Sequence, residues 1–235
     1  MQDLADAVRM ALSLAMSGDA GFIEIVLLSL RVSLSATAIA CLIGLPLGAL
    51  IAIGRFAGRG PLIVIVNALM GLPPVVVGLV VYLNFSRAGP LGWLGLLYTP
   101  TAMIVAQTIL VAPIVIALSR QVLEDLHAEY DEQFRSLNVP RGTAVWALIG
   151  DGRHALMTVA LAGFGRAVAE VGAVIIVGGN IDHLTRVMTT AIALETSKGD
   201  LALALALGMV LLAVALAVNA LVMGLRASAR RSAYV

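Results

Sequence analysis

Two groups of side chains in this sequence have the types and spacing to do chemistry. The first is a charged island from Arg120 to Arg153, which holds ten of the chain's 29 acidic and basic residues between two long apolar stretches. The second is Arg166 and Glu170, embedded in the apolar run Gly163-Phe-Gly-Arg-Ala-Val-Ala-Glu-Val-Gly172. A charge at mid-bilayer is costly unless it is paired or hydrated, so both side chains must turn toward protein. Their spacing of four puts them one turn apart on the same face of a helix. In one reading they neutralise each other or a neighbouring helix and lock the packing. In the other they line a path, and Arg166 attracts an anion by guanidinium hydrogen bonding. Two further features fit a path. Gly71-Leu-Pro73-Pro74 removes two backbone donors and breaks a helix, leaving carbonyls that must face protein or water. Gly178-Gly-Asn180 puts a polar side chain at the end of the segment that carries Arg166.

Other chemistries are excluded by what the sequence lacks. It contains no Gly-x-x-x-x-Gly-Lys-Ser/Thr loop, and Lys198 is its only lysine, so it cannot cradle ATP in the P-loop manner. His127, His154 and His183 lack metal-ligand spacing and are expected as solvated loop residues. An intramembrane hydrolase would need Ser/His, Asp/Asp or His-Glu-x-x-His inside the spans, and Glu170 has no such companion. The chain is therefore read as a non-enzyme with no cofactor or metal of its own. A net charge of +1 gives no basis for nucleic-acid binding, and the single cysteine, Cys41, excludes an intrachain disulfide.

The elements that must position these residues are membrane helices. The chain of 235 residues is 60% hydrophobic and 12% charged, with a mean hydropathy of +1.01, the composition of a polytopic membrane protein. Five segments are long enough to cross the bilayer, Ile25–Ile53, Leu62–Tyr82, Thr101–Leu118, Ala155–Val177 and Leu201–Leu225. Leu4–Met16 is too short to span and reads as an interfacial helix, and Asp3 and Asp6 stand where a secretory leader would be basic. The expected organisation is an N-terminal interfacial segment (1–24), one transmembrane domain (25–226) and a basic tail (227–235). With the island cytoplasmic, nine arginines lie inside, against Arg9, Arg87, Arg186 and Lys198 outside. That bias puts the N-terminus out and the C-terminus in. The first span carries Ala36, Ala40, Gly44, Gly48 and Ala52 at intervals of four, a smooth stripe for close helix packing, expected to be used within the molecule.

Within the island, Tyr130, Phe134 and Leu137 fall at i, i+4 and i+7 of a short amphipathic helix, His127–Leu137, whose remaining faces are charged. Asn138 can adopt the left-handed position that ends a helix, and Pro140 forbids continuation. A second short helix, Thr143–Ile149, is expected to start at a threonine cap. Two helices meeting at a sharp turn make a compact knob suited to docking in a groove of a soluble protein.

Here a family resemblance enters. Glu132-Gln-Phe-Arg-Ser-Leu-Asn138, followed by Arg141, resembles the Glu-Ala-Ala loop of binding-protein-dependent ABC importer permeases. Gln133 and Phe134 replace its two alanines, Asn138 its glycine, and Gly150-Asp151 stands where the family ends the loop with an apolar residue and proline. The blocks Leu72-Pro-Pro-Val-Val-Val-Gly78, Gly163–Ala173, Gly178-Gly-Asn180 and Met188–Ser197 resemble the tungstate branch of the molybdate/tungstate permeases. The resemblance implies a type I importer in the inner membrane of a prokaryote. Two copies of the permease would form the pore, two cytoplasmic ATPase subunits would bind ATP and Mg, and an extracytoplasmic binding protein would deliver the oxyanion. It also implies ATPase coupling through Glu132, Arg135, Ser136, Leu137, Asn138 and Arg141, while Pro73, Pro74, Arg166, Glu170 and Asn180 remain the translocation candidates. The competing reading is a secondary transporter or channel for an anion that needs no ATPase.

Overall fold

The computed structural model describes Val8, Arg9, Ser13 and residues 20–232, with side chains through Gly224. All of the expected interfacial helix but Val8, Arg9 and Ser13, and the side chains of the basic tail, therefore lie outside the described residues. The described secondary structure is helical throughout. α1 (Ala20–Ile53) is followed by α2 (Arg59–Leu69) and α3 (Pro74–Phe85), then a single 3-10 turn (Gly92–Leu94) and α4 (Pro100–Ser136). The order continues with α5 (Arg141–Asp151), α6 (Arg153–Val168), α7 (Gly172–Gly178), α8 (Met188–Lys198) and α9 (Leu201–Ser232).

Three of these helices, α1, α4 and α9, are long and apolar enough to cross a membrane. The pairs α2/α3 and α6/α7 are each bent at a short break, and counting each pair as one span gives five. The expected second and fourth spans are thus the interrupted ones. The first interruption was legible from Pro73-Pro74, whereas nothing in the residue types announced the second.

α4 corrects the reading of the third span. That span was expected to stop near Leu118, with a separate amphipathic helix from His127, but α4 runs unbroken for 37 residues. At 1.5 Å per residue this is about 55 Å, well beyond the roughly 30 Å hydrocarbon core. Between Arg120 and Ser136 there is no glycine or proline to stop it, and Arg120–Glu124 and Arg135–Asp131 pair at i, i+4 along the way. His127 consequently sits on a helix, stacked on Phe134 with ring centroids 6.2 Å apart, and His154 lies in α6. Of the three histidines expected in loops, only His183 is in one.

The described residues pack as two compact units. One draws on the described residues up to Leu34, on Pro74–Gln107 and on the described residues from Val168 onward, and the other on Ser35–Pro73 and Thr108–Ala167. In the first, α3 packs on α7, and α8 on α9. A Cβ added at Gly78 would lie 2.8 Å from the Ala173 Cα, so glycine is what lets α3 and α7 touch backbone to backbone. In the second unit the small-residue stripe of α1 packs inside the molecule, as expected. A Cβ at Gly44 would meet Val115, and one at Gly48 would meet the Ile116 carbonyl at 2.9 Å. Ala40, Ala49, Val111, Val115, Leu123 and Leu148 form its core.

Candidate functional site

The knob is built at the far end of α4, within the second unit. Tyr130 and Phe134 turn inward against the core, their rings 5.8 Å apart. Tyr130 also donates its phenol O–H to Asp151 Oδ2 at 2.8 Å, tying the end of α5 to α4. The helix ends as the sequence indicates. Asn138 takes a left-handed φ of 48°, and the Val139 N–H turns back to the Phe134 carbonyl at 2.9 Å. Asparagine thus fills a position that glycine otherwise favours.

α5 departs from expectation at its start. It begins at Arg141 rather than at a threonine cap, and Thr143 lies inside its first turn. Pro140 holds the extended conformation (φ −66°, ψ 146°) of the residue preceding a helix, and its carbonyl accepts the Ala144 N–H at 3.0 Å. Proline fixes φ and so decides where the helix can begin. Ala144, Val145 and Leu148 are buried, whereas Trp146 is 69% exposed.

Leu137 does not share the face of Tyr130 and Phe134, because it lies just past the end of α4, where it is 74% exposed. Around it stand Glu132, Arg135, Ser136, Asn138 and Arg141, all exposed. Leu137 and Trp146 are thus two large apolar side chains left exposed in a stretch that also exposes Glu132, Arg135 and Arg141. Trp146 was missed by sequence reasoning. The signal available was helical spacing: once residues 144, 145 and 148 take the buried face of α5, residue 146 must point away from it.

The base of the knob is tied down by arginine. Arg59 donates to Glu124 Oε1 at 2.7 Å and, through Nε, to the Ile51 carbonyl at 2.9 Å, so one side chain caps the end of α1 and bridges to α4. Arg120 pairs with the same carboxylate from within α4.

The translocation candidates divide between the two units. At the first break, Gly71 and Leu72 donate to Ala68 and Leu69 in a tightened final turn, and α3 then starts with Pro74, a first-turn position where a missing N–H costs nothing. In the first unit, Pro74 and Glu170 come together. A Cβ at Gly172 would lie 3.5 Å from Glu170 Oε1 and 3.6 Å from Pro74 Cβ. Asn180 is not with them, because it follows the opposite end of the seven-residue α7.

Glu170 corrects the sequence reading. It does not share a helix face with Arg166, because α6 stops at Val168 and Glu170 lies in the break. Its side chain is buried (4% exposed) and Oε1 accepts the Ala173 N–H at 3.1 Å, capping the first turn of α7. Its carbonyl accepts Thr189 Oγ1–H at 2.9 Å, an acceptor an uninterrupted helix would have used for itself. Arg166 remains on α6, half-buried, in the second unit.

The other end of α7 is also fixed by backbone bonds. Gly179 (φ 72°) and Asn180 (φ 50°) are both left-handed, and Thr185 Oγ1 donates to the Gly178 carbonyl and accepts the Ile181 N–H. The Tyr98 N–H donates to the Val177 carbonyl at 2.9 Å. In the following loop, His183 Nδ1 is 2.8 Å from Glu24 Oε2. That hydrogen bond, together with the charges of Asp182 and Glu24, raises the imidazole above its ordinary value, against partial burial and the charge of Arg186.

Three helices of membrane-crossing length and two bent pairs define a multi-span membrane protein. The comparison with known proteins is more specific. Residues 44–231 match the pattern of the binding-protein-dependent transport system inner membrane components, and the chain belongs to that family. Membership implies an ABC importer subunit in the inner membrane, working with ATPase and binding-protein partners. The chain is 40% identical over 226 residues to the tungstate uptake system permease protein TupB of Peptoclostridium acidaminophilum, covering 96% of this chain and 99% of the relative. It is 40% identical over 205 residues to a probable anion ABC transporter permease of Haloferax volcanii (85% and 88% of the two chains). Against TupB of Campylobacter jejuni it is 42% identical over 155 residues, 66% and 65% of the two chains.

Proposed function

We propose that this chain is the permease subunit of an ATP-driven tungstate importer, with molybdate as the second oxyanion to be tested. The observation that carries the substrate is the 40% identity, over 96% of the chain, to a tungstate uptake permease. Two copies form the pore, with the N-terminus outside and the C-terminus inside, and a binding protein delivers the anion from outside. ATP and Mg are held by two ATPase subunits docked on the knobs.

Coupling runs through Glu132, Arg135, Ser136, Leu137, Asn138 and Arg141. A ligand shifts a conformational equilibrium only by binding its states differently. The rigid turn at Asn138 and the Tyr130–Asp151 tie support this role, because they let the knob move as one body with α4. Pro73, Pro74, Arg166, Glu170 and Asn180 are the pore candidates. Glu170 belongs there as a positioning residue, since its carboxylate caps α7. Family membership favours this reading over a secondary transporter or channel without an ATPase.

The test is uptake of labelled tungstate into proteoliposomes holding permease, ATPase and binding protein, with molybdate and sulfate as competitors. Reversing both charges, Glu132→Lys with Arg141→Glu, should abolish binding-protein-stimulated ATP hydrolysis while the permease still purifies folded. Full stimulation in that variant removes the coupling assignment, and uptake of sulfate in preference to tungstate removes the substrate.

A further inference from the structure

One cleft in the second unit gathers positive charge beside the residues proposed for coupling, three of which, Arg135, Asn138 and Arg141, also line it. It opens between the end of α1, the end of α4 and the start of α5, with a volume of about 350 Å³. Arg55, Arg135 and Arg141 line it against a single carboxylate, Asp131, and His127 forms part of its wall. Arg135 is held by Asp131 at 2.8 Å. Among the described residues, Arg55 and Arg141 have no ion-pair partner, so the cleft keeps an excess of positive charge.

Guanidinium groups converging on one space are suited to the geometry of a tetrahedral oxyanion, whose several acceptor oxygens can each take an N–H. A lipid phosphate and a free one share that chemistry, and the position of the cleft bears on which of them it meets. The apolar part of α4 ends at Leu118, and Asp131 lies thirteen residues further along the same helix, about 20 Å at 1.5 Å per residue. The headgroup layer is only about 5–8 Å thick on each side. The Asp131 side of the cleft therefore stands beyond the headgroup layer, while Ile53 and Arg55 lie at the end of the first span.

We propose that this cleft is a binding site for a soluble tetrahedral oxyanion of the phosphate class, held by Arg55 and Arg141 with His127 in its wall. The site joins the end of α1 to the first turn of α5, so its occupant ties the base of the knob to its tip. The proposal stands whichever oxyanion the protein carries.

Equilibrium dialysis with labelled inorganic phosphate tests it, using the assembled permease–ATPase complex in phosphatidylcholine nanodiscs. Arg55→Gln is the informative change because Arg55 is exposed and unpaired among the described residues. Arg87→Gln removes an equally exposed arginine from the other unit. The expected result is about a tenfold loss of phosphate affinity in Arg55→Gln, the scale of one charged hydrogen bond, with none in Arg87→Gln. Both variants must elute as intact complexes. Equal affinity in parent and Arg55→Gln, or equal loss in both variants, overturns the site. Displacement of phosphate by added phosphatidylglycerol in the parent but not in Arg55→Gln overturns the soluble source in favour of a lipid headgroup. Loss of the ATPase from the Arg55→Gln complex shows that the arginine serves subunit contact, and also overturns the proposal.

Discussion

Gly78→Ala adds one methyl group where α3 meets α7. The new Cβ would stand 2.8 Å from the Ala173 Cα and 3.2 Å from both the Ala173 carbonyl oxygen and Ile176 Cδ1. Carbon atoms pack at about 3.5–4.0 Å, so the closest contact is short by roughly 0.7 Å. Ile176 can rotate away, but the Ala173 backbone cannot, so α3 and α7 must separate. Overpacking of this kind costs about 1–3 kcal/mol. For a chain of this size that corresponds to a fall of roughly 2–12 °C in the unfolding midpoint.

The perturbation lies one turn beyond Pro74 and beside the segment that Glu170 caps, so it should also disturb the residues proposed for translocation. Uptake of labelled tungstate should therefore fall by more than the loss of folded protein explains. Gly208→Ala in α9 is the control, since nothing stands within 4 Å of a Cβ there and alanine is the better helix former. The reasoning is refuted if Gly78→Ala matches the parent in both midpoint and uptake, or if Gly208→Ala is equally damaging.

Other predictions follow from local geometry. Because His183 gains a partner in the folded state, its folded value lies above the ordinary 6.5. The stability it contributes is therefore complete below about pH 6.5 and is lost as pH rises through the raised value. Histidine NMR should show the elevated titration in the parent and a return toward 6.5 in Glu24→Gln; an identical titration in both would exclude the pairing. Gly179→Ala combines a left-handed φ of 72° with a Cβ 2.9 Å from Tyr98 Cδ1, so it should destabilise by at least ~1 kcal/mol, read as a lowered thermal midpoint. Arg59→Gln removes the Glu124 bridge and the Ile51 cap together. The bridge is partly exposed, so the loss should be about 1 kcal/mol, and one above about 3 kcal/mol would mean that Arg59 does more than these two bonds.

Much of this architecture was legible because local chemistry dictates it. Pro73-Pro74 cannot continue a helix, Asn138 tolerates the left-handed turn, and a stripe of small residues invites a neighbouring backbone. The errors share one cause, which is that solvent boundaries were taken for chain boundaries. Residues 119–136 change from lipid-like to water-like without changing their helix-forming character, so α4 continues where the apolar pattern stops. The break after Val168 is the converse case. No proline marks it, and it is held by bonds between residues distant in sequence, Thr189 to the Glu170 carbonyl above all. A spacing of four between Arg166 and Glu170 therefore described a helix face that does not exist.

The same distinction bears on how the protein works. On the proposed coupling, α4 is the helix that would carry motion from the knob, with its backbone ladder missing one bond at Pro113 in the apolar part and none removed by proline between Arg120 and Ser136. Glycine inserted into the water-exposed part of α4, as in Ala128→Gly, should cost only about 1 kcal/mol of stability. If α4 acts as a rod, that local softening should reduce the ATP-to-transport ratio more than it reduces folding. An unchanged ratio would place coupling elsewhere than along this helix.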